Sequence, residues 1–331
     1  MKYSSVTKII FSSVLLLILA SGCSTVRVPM KITHPAEINM TKYKQIAVGD
    51  IDGNMGRAFS DGIKNSLVES GRFKVVDRSR MKQVMAELNL SQSDLIDSKN
   101  RVKLGRLLSA SAMIAGHTEG KYKEKITTSK GKCGSKKEGY YTCTRYHRKG
   151  VYSTSGSIDV IDVATGEIIR SKVLNASYKD TNSATDKRPD PIDKDSLAAK
   201  ALSRNINTFL KSIKPWTETV HVPFKTDGSI PDLEKGINQA KIGDLDKSIR
   251  TFADAAKAAE GNAKIKPKSI ATAYFDLGLA YHFSWEFDKA IAAFKKAYEM
   301  NASDSYIKWV KYTEKQKKER KKLEAQGAAG A

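Results

Sequence analysis

Gln45-Ile46-Ala47-Val48-Gly49 is a short apolar run, followed at once by the turn-rich stretch Asp50-Ile51-Asp52-Gly53-Asn54-Met55-Gly56. A few apolar residues bounded by turn formers suit a buried strand. Outward from it, residues 57–70 place Phe59, Ile63, Leu67 and Val68 at helical spacing, with Gly71 as the residue that closes the helix. Phe73-Lys74-Val75-Val76-Asp77 predicts the next strand, and Ser79 can cap a helix carrying Met81, Val84, Met85 and Leu88. Val102, Leu104, Leu107 and Leu108 mark a third helix, leading into the strand Ala112–Gly116. The strands Gly156–Val163 and Glu167–Ile169 flank a turn at Thr165-Gly166 and predict a hairpin. A helix over 196–213 follows, with Leu197, Ala201, Ile206, Phe209 and Leu210 on one side and Pro215 beyond its end. Strand and helix alternate, so residues 43–214 are expected to form an α/β domain in which helices cover a sheet.

The whole chain has 331 residues, 40% apolar and 28% charged, enough for two or three domains with a sizeable core. Lys and Arg number 57 against 36 Asp and Glu, a formal charge of +21. Three cysteines are too few for a disulfide scaffold, and five scattered histidines too few for a metal cluster. At the start, Lys2 and Lys8 precede the apolar run Ile9–Phe11 and Val14–Ala20, which stops at Ser21-Gly22-Cys23. That run is shorter than the roughly 20 residues of a spanning helix, so residues 1–22 are expected to be an export signal. Leu19-Ala20-Ser21-Gly22-Cys23 resembles a bacterial lipobox, with Leu19 one place further from the cysteine than is usual and an ordinary cut site as the alternative. The resemblance implies acylation of Cys23, each buried methylene adding about 0.8 kcal/mol of membrane affinity. Ser24, where aspartate would retain such a lipoprotein, implies the outer membrane.

Export changes how the charge is read. Nucleic acid is not normally met in the periplasm, so none is expected as a partner. Anionic lipid headgroups, lipopolysaccharide phosphates and acidic proteins are the counter-charges to be found there, with a solvated basic surface as the plain alternative. Residues 23–42, with Pro29 and Pro35, are expected to be a lipidated tether.

Ile46-Ala47-Val48, then Ser70-Gly71-Arg72-Phe73-Lys74-Val75-Val76-Asp77-Arg78, then Leu104-Gly105 with Leu107-Leu108, then Asp162-Val163-Ala164-Thr165-Gly166-Glu167 after Ile161 stand in an order that resembles the CsgG family of outer-membrane lipoproteins. The resemblance covers about residues 30–213. It implies an α/β fold like that of periplasmic lipoproteins that activate peptidoglycan synthases. It also implies assembly or transport work without catalysis, and it opens the option of a homo-oligomer, since the best-known member is a ring-shaped secretion channel.

That channel's wall is built from amphipathic hairpins, and residues 121–150 occupy the comparable place. They carry ten Lys and Arg against Glu124 and Glu138, with Tyr122, Ile126, Tyr140, Tyr141 and Tyr146 as nearly all their bulky apolar groups. A cation facing mid-bilayer lipid costs roughly 2–4 kcal/mol, so a basic loop is expected here rather than a membrane strand. Within it, Cys133 and Cys143 flank a Gly-Ser-Lys-Lys-Glu-Gly turn and are natural disulfide partners in an oxidising compartment. A redox switch or a zinc site is the alternative, with His147 the single histidine near them. Asp50, Asp52 and Asn54 have the alternate spacing of a calcium loop but lack its glycine and distal glutamate, so an ordinary turn is expected. No phosphate-binding loop, nucleophile elbow or zinc-protease pair occurs, and neither catalytic residues nor a cofactor or metal are expected.

Residues 215–230, with Pro215, Pro223 and Gly228, are expected to be a linker. Beyond it Gly236, Gly243, Leu245, Phe252 and Ala255 precede Gly278, Trp285, Phe287, Phe294 and Ala297, each by 42 residues. Tyr274, Leu277, Gly278, Tyr281, Ala290, Phe294 and Ala297 match tetratricopeptide spacing, while Ser248 and Gln239 stand where the first unit should carry alanine and tyrosine. The motif repeats every ~34 residues, so an insertion near Gly261–Lys268 is expected to loop out. An all-α tetratricopeptide-like module over 231–324 is the expectation, a plain helical hairpin the alternative. Its last helix, 303–324, would turn Tyr306, Trp309 and Tyr312 inward, and residues 325–331 would be a disordered tail. A partner segment is expected in its concave face. The function implied is a periplasm-facing outer-membrane lipoprotein that assists assembly or secretion through protein partners in the envelope. A curli-type export channel and a regulator of a peptidoglycan synthase are the alternatives.

Overall fold

The computed structural model describes residues 24–76, 78–91, 94 and 97–328, without the side chains of Asp50 and 78–81. The export signal 1–22, the lipidation site Cys23 and residues 329–331 lie outside the described residues. Two compact units are present.

The unit spanning 35–216 and 325–328 is built on a five-stranded sheet. Its strands are β2 (Gln45–Asp52), β3 (Lys74–Val76), β4 (Ala112–Ser135), β5 (Gly139–Asp162) and β6 (Ile168–Thr185), in the order β3-β2-β4-β5-β6. β2 pairs parallel with β3 and β4, while β4–β5 and β5–β6 are antiparallel. α1 (Gly56–Glu69) and α4 (Lys194–Ile213) cover one face, and α2 (Arg78–Glu87) and α3 (Ser98–Leu107) the other. The Ile46–Val48 core of β2 is apolar because both its faces are buried: Ile46 and Val48 join Phe59, Ile63, Leu67 and Phe209, whereas Ala47 joins Met85, Leu104 and Met113. This is the expected α/β layer.

The other unit spans 24–34 and 217–324. β1 (Ser24–His34) and β7 (Trp216–Thr226) form a two-stranded sheet. Around it stand α5 (Asp232–Lys241), α6 (Leu245–Glu260), α7 (Pro267–Phe283), α8 (Phe287–Met300) and α9 (Asp304–Ala325). Val28, Met30, Val222 and Phe224 share one core with these helices.

Four expectations need correction. Residues 24–34 are a strand, not a tether, and 216–226 a strand, not a linker: Val26, Val28, Met30 and Ile32 alternate with exposed residues, as do Val220, Val222 and Phe224. Residues 121–150 are the outer halves of β4 and β5, paired without interruption from Ala112–Asp162 to Ser135–Gly139. Residues 261–266 do loop out, between the end of α6 at Glu260 and the start of α7 at Pro267, as expected. The chain end is ordered through Ala328, because the buried Gln326 amide exchanges two hydrogen bonds with the Ala36 backbone, 2.9 and 3.0 Å, and its carbonyl accepts from Arg72 at 2.6 Å.

Candidate functional site

The motifs behind the family resemblance turn out to be scaffold. Asp162 closes the β5–β6 turn, its carboxylate accepting from the Ala164 and Thr165 amides at 2.8 and 3.3 Å and from the Tyr43 hydroxyl at 2.8 Å. Burial pushes this carboxyl up, but the Tyr43, Thr165, Ala164 and Lys42 hydrogen bonds together outweigh it and hold the group below the usual range. Gly166 takes φ +75° in the same turn. Gly105 lets α3 lie against the strand end, since a Cβ there would sit 2.1 Å from a Val163 methyl. Gly71, at φ +63°, follows the end of α1. Asn54, the third member of the weak calcium pattern, instead exchanges two hydrogen bonds with the Gly120 backbone, 2.9 and 2.7 Å. Among the described residues no three His, Cys, Asp or Glu side chains could together hold a metal ion.

What the scaffold projects is an arm. From Lys121 to Lys130 nearly every residue of β4 is exposed, and β5 and β6 continue beside it to Gly139 and Thr185. Strand alternation splits the arm into two faces. One carries Tyr122, Tyr152 and Tyr178 side by side at the root, then Glu124 and Asp180, then Ile126, Arg148 and Asn182. Gly150 is buried there because Tyr122 and Ile192 close over it, and a Cβ would meet them at 2.5 and 2.8 Å. Burial and the Glu124 carboxylate, which accepts from the Tyr122 hydroxyl at 2.7 Å, push that phenol up to about 12. The opposite face carries lysine and short hydroxyl side chains. Charged residues stand on both faces, so neither offers the apolar band of a lipid-facing strand. Near the tip Cys133 and Cys143 are disulfide-bonded with their Cα atoms 5.7 Å apart. Such a closure removes about 3 kcal/mol of unfolded-state entropy, in an arm with almost no core of its own.

In the helical unit the repeat is physical. A Cβ on Gly236 would stand 2.5 Å from the Phe252 ring, and one on Gly278 2.5 Å from the Phe294 ring, so each helix pair meets through a glycine under a buried phenylalanine. Gly243 and Trp285, 42 residues apart, adopt the same left-handed backbone, φ +83° and +65°. Ala255, Ala290 and Ala297 are buried small residues at the contacts, Leu277 is buried, and Tyr274 and Tyr281 are half-buried. Ser248 fills its alanine-like position by donating to the Gly236 carbonyl at 2.9 Å.

The expected partner groove is filled by the chain itself. On α7 the stripe Phe275, Asp276, Leu279 and His282 is buried. The Lys225 amide donates to both Asp276 carboxylate oxygens, 3.0 and 3.1 Å, and its ammonium lies 4.7 Å from the Phe275 ring centre. Phe224 stacks on Phe252 at 5.7 Å. Tyr306 and Trp309 of α9 cover Phe275, and His282 bonds Thr313 at 2.9 Å. Burial raises the Asp276 carboxyl well above its ordinary value and lowers the His282 imidazole to about 4. A helix apolar nearly all round, as α7 is, carries no sign in sequence of which neighbours bury it.

Among the described residues no helix is long and apolar enough to cross a membrane. A family model described as the curli production assembly/transport component CsgG matches residues 30–186. Comparison with curated proteins gives no match. Among solved structures, the LpoB C-terminal domain from Salmonella enterica is 16% identical, with 40% of this chain and 83% of that one covered and a TM-score of 0.27. Lipoprotein GNA1162 from Neisseria meningitidis is 12% identical over 51% of this chain and 99% of its own, TM-score 0.30. The PelC dodecamer from Paraburkholderia phytofirmans gives 15% identity over 57% and 99%, TM-score 0.27. Likeness at that level says nothing of function. Through residues 30–186, just under half of its length, with the Asp162 turn, the Gly105 contact and the buried β2 strand at their places in the fold, this chain is similar to the CsgG family.

Proposed function

We propose that the chain is a periplasm-facing outer-membrane lipoprotein, anchored through acylated Cys23, that assists assembly or secretion by contacts with other envelope proteins and performs no catalysis. The observation that carries this reading is the arm: a long, disulfide-tipped, three-stranded projection with charges on both faces, attached to a family scaffold whose own motifs are spent on packing. A projection of that kind reaches a partner in water. A second reading, an oligomeric export channel, draws support from the 24-residue lengths of β4 and β5, which exceed what a bilayer crossing needs. The two part on conductance and shape. The accessory reading expects the purified lipoprotein to leave planar bilayers silent and to show no detergent-stable ring by negative stain. Discrete conductance steps together with rings would overturn it in favour of the channel.

A further inference from the structure

Every cation on the arm's second face lacks a carboxylate partner among the described residues. Outward from the root, Lys121, Lys123 and Lys125 on β4, Arg145 and Lys149 on β5, and Lys179 on β6 point to this side, all exposed, with no Asp or Glu among them. Lys125 and Lys149 stand directly opposite each other across the β4–β5 ladder, and Lys123 and Lys179 flank Val151 in the next row. Like charges directly opposite on a sheet destabilise it, and the nearest carboxylate on this face, Glu119, lies three rows from Lys125 and is paired with His117. The acids in the paired rows from Lys121 to Arg145, Glu124 and Asp180, lie on the other face, where Arg148 pairs with Glu124 at 2.6 Å, and Glu138 sits in the turn at the tip. Between the cations the side chains are short and hydroxylic: Ser153 and Ser177 sit 3.1 Å apart, and His147 lies 2.9 Å from Ser183. From the Lys121 row to the Arg145 row the face runs about 27 Å, at ~3.4 Å per residue.

We propose that this face binds a linear acidic polysaccharide laid along the strands. Its regularly spaced anions would answer the unpaired cations, and its hydroxyls would meet the serine and threonine side chains between them. A protein partner fits this face less well than the opposite one with Tyr122, Tyr152 and Tyr178, because protein interfaces favour aromatic anchors and are depleted in lysine. A bilayer surface would use the lysines and leave the hydroxyl rows idle.

The test uses the full chain in detergent, titrated with polygalacturonate, with neutral dextran of matched length, with poly-glutamate, and with vesicles of phosphatidylglycerol in phosphatidylcholine. Polygalacturonate is expected to bind, dextran not to, and affinity to fall about tenfold or more between 50 and 200 mM salt. K125Q/K149Q is expected to weaken binding about tenfold while leaving thermal stability unchanged or higher, since it removes a repulsion. K130Q/K132Q, on the opposite face, is expected to bind as the parent does. Equal losses for the two double variants, no loss for K125Q/K149Q, or tighter binding to poly-glutamate or to the vesicles at the same salt would each overturn the proposal.

Discussion

Gly278→Ala adds one methyl group at the point where α7 meets α8. The added carbon would stand 2.5 and 2.6 Å from two atoms of the Phe294 ring, about 1 Å inside ordinary contact. The ring has no room to retreat, since Phe275 and Trp309 lie 5.8 Å away by centroid and Phe294 is fully buried. Gly278 has helical backbone with no left-handed requirement, so the steric cost is partly offset by alanine's better helix propensity of about 1 kcal/mol. Overpacking against so confined a ring falls in the upper part of the usual range, about 2–3 kcal/mol, leaving a net loss near 1–2 kcal/mol. Phe294→Leu alone opens a cavity and destabilises. The double variant should lose less than the two single losses added together, because the smaller side chain vacates the space that the methyl needs. Urea unfolding followed by tryptophan fluorescence reads this directly, as Trp285 and Trp309 both belong to this unit. Additive losses, or a Gly278→Ala chain as stable as the parent, would refute the claim that close helix approach through glycine holds the repeat together.

Asp276→Asn should remove a pH dependence. The folded carboxyl titrates above its unfolded value, so the folded state holds the extra proton and stability falls as pH rises from about 4 toward the folded pKa, by at most ~1.4 kcal/mol per pH unit. The variant should flatten that slope in thermal melts between pH 4 and 8; an unchanged slope would exclude Asp276 as its source. Asp162→Asn works in the opposite sense. Its folded carboxyl is held low, so its contribution is present above the ordinary carboxylate range and fades as pH falls; asparagine keeps an oxygen for the turn amides but replaces the one that accepts from Tyr43 and Lys42, which should cost about 1–3 kcal/mol at neutral pH. Cys133→Ser with Cys143→Ser should speed amide exchange within residues 125–149 while exchange in β2 and α4 stays as in the parent. Equal acceleration in the body would mean that the disulfide supports more than the arm.

The layered domain was legible because its central strand is buried on both sides and writes an unbroken apolar run, with Gly71 and the Asp162 turn as punctuation. β1 was written just as plainly in Val26, Val28, Met30 and Ile32, but Pro29 between them suggests a tether. Pro29 is exposed on a strand of a two-stranded sheet, one of the few places where a strand tolerates a residue without an N–H. Pro223 misleads about β7 in the same way. The arm had no apolar period to read, because neither of its faces meets a core. Its strands hold through the backbone ladder with two neighbours and the bond at the tip, neither of which leaves a hydrophobic pattern. The glycine, phenylalanine and alanine spacing revealed the helix pairs, yet nothing in it announced that β7 and α9 would cover the α7 stripe. The cationic face needed the register, because lysines at 121, 123 and 125 become a one-sided surface only once β5 and β6 are aligned beside them.

Ile126 and Thr127 are neighbours on β4 that point to opposite faces of the arm, and they give the account its most direct test. An environment-sensitive fluorophore placed on a cysteine at each position in turn, in the protein purified from membranes and reconstituted into liposomes, separates the possibilities. An arm that works in water predicts aqueous emission at both sites and no quenching by spin-labelled acyl chains. Blue-shifted emission at one site with quenching from within the bilayer, and aqueous emission at the other, would mean that the strands line a pore.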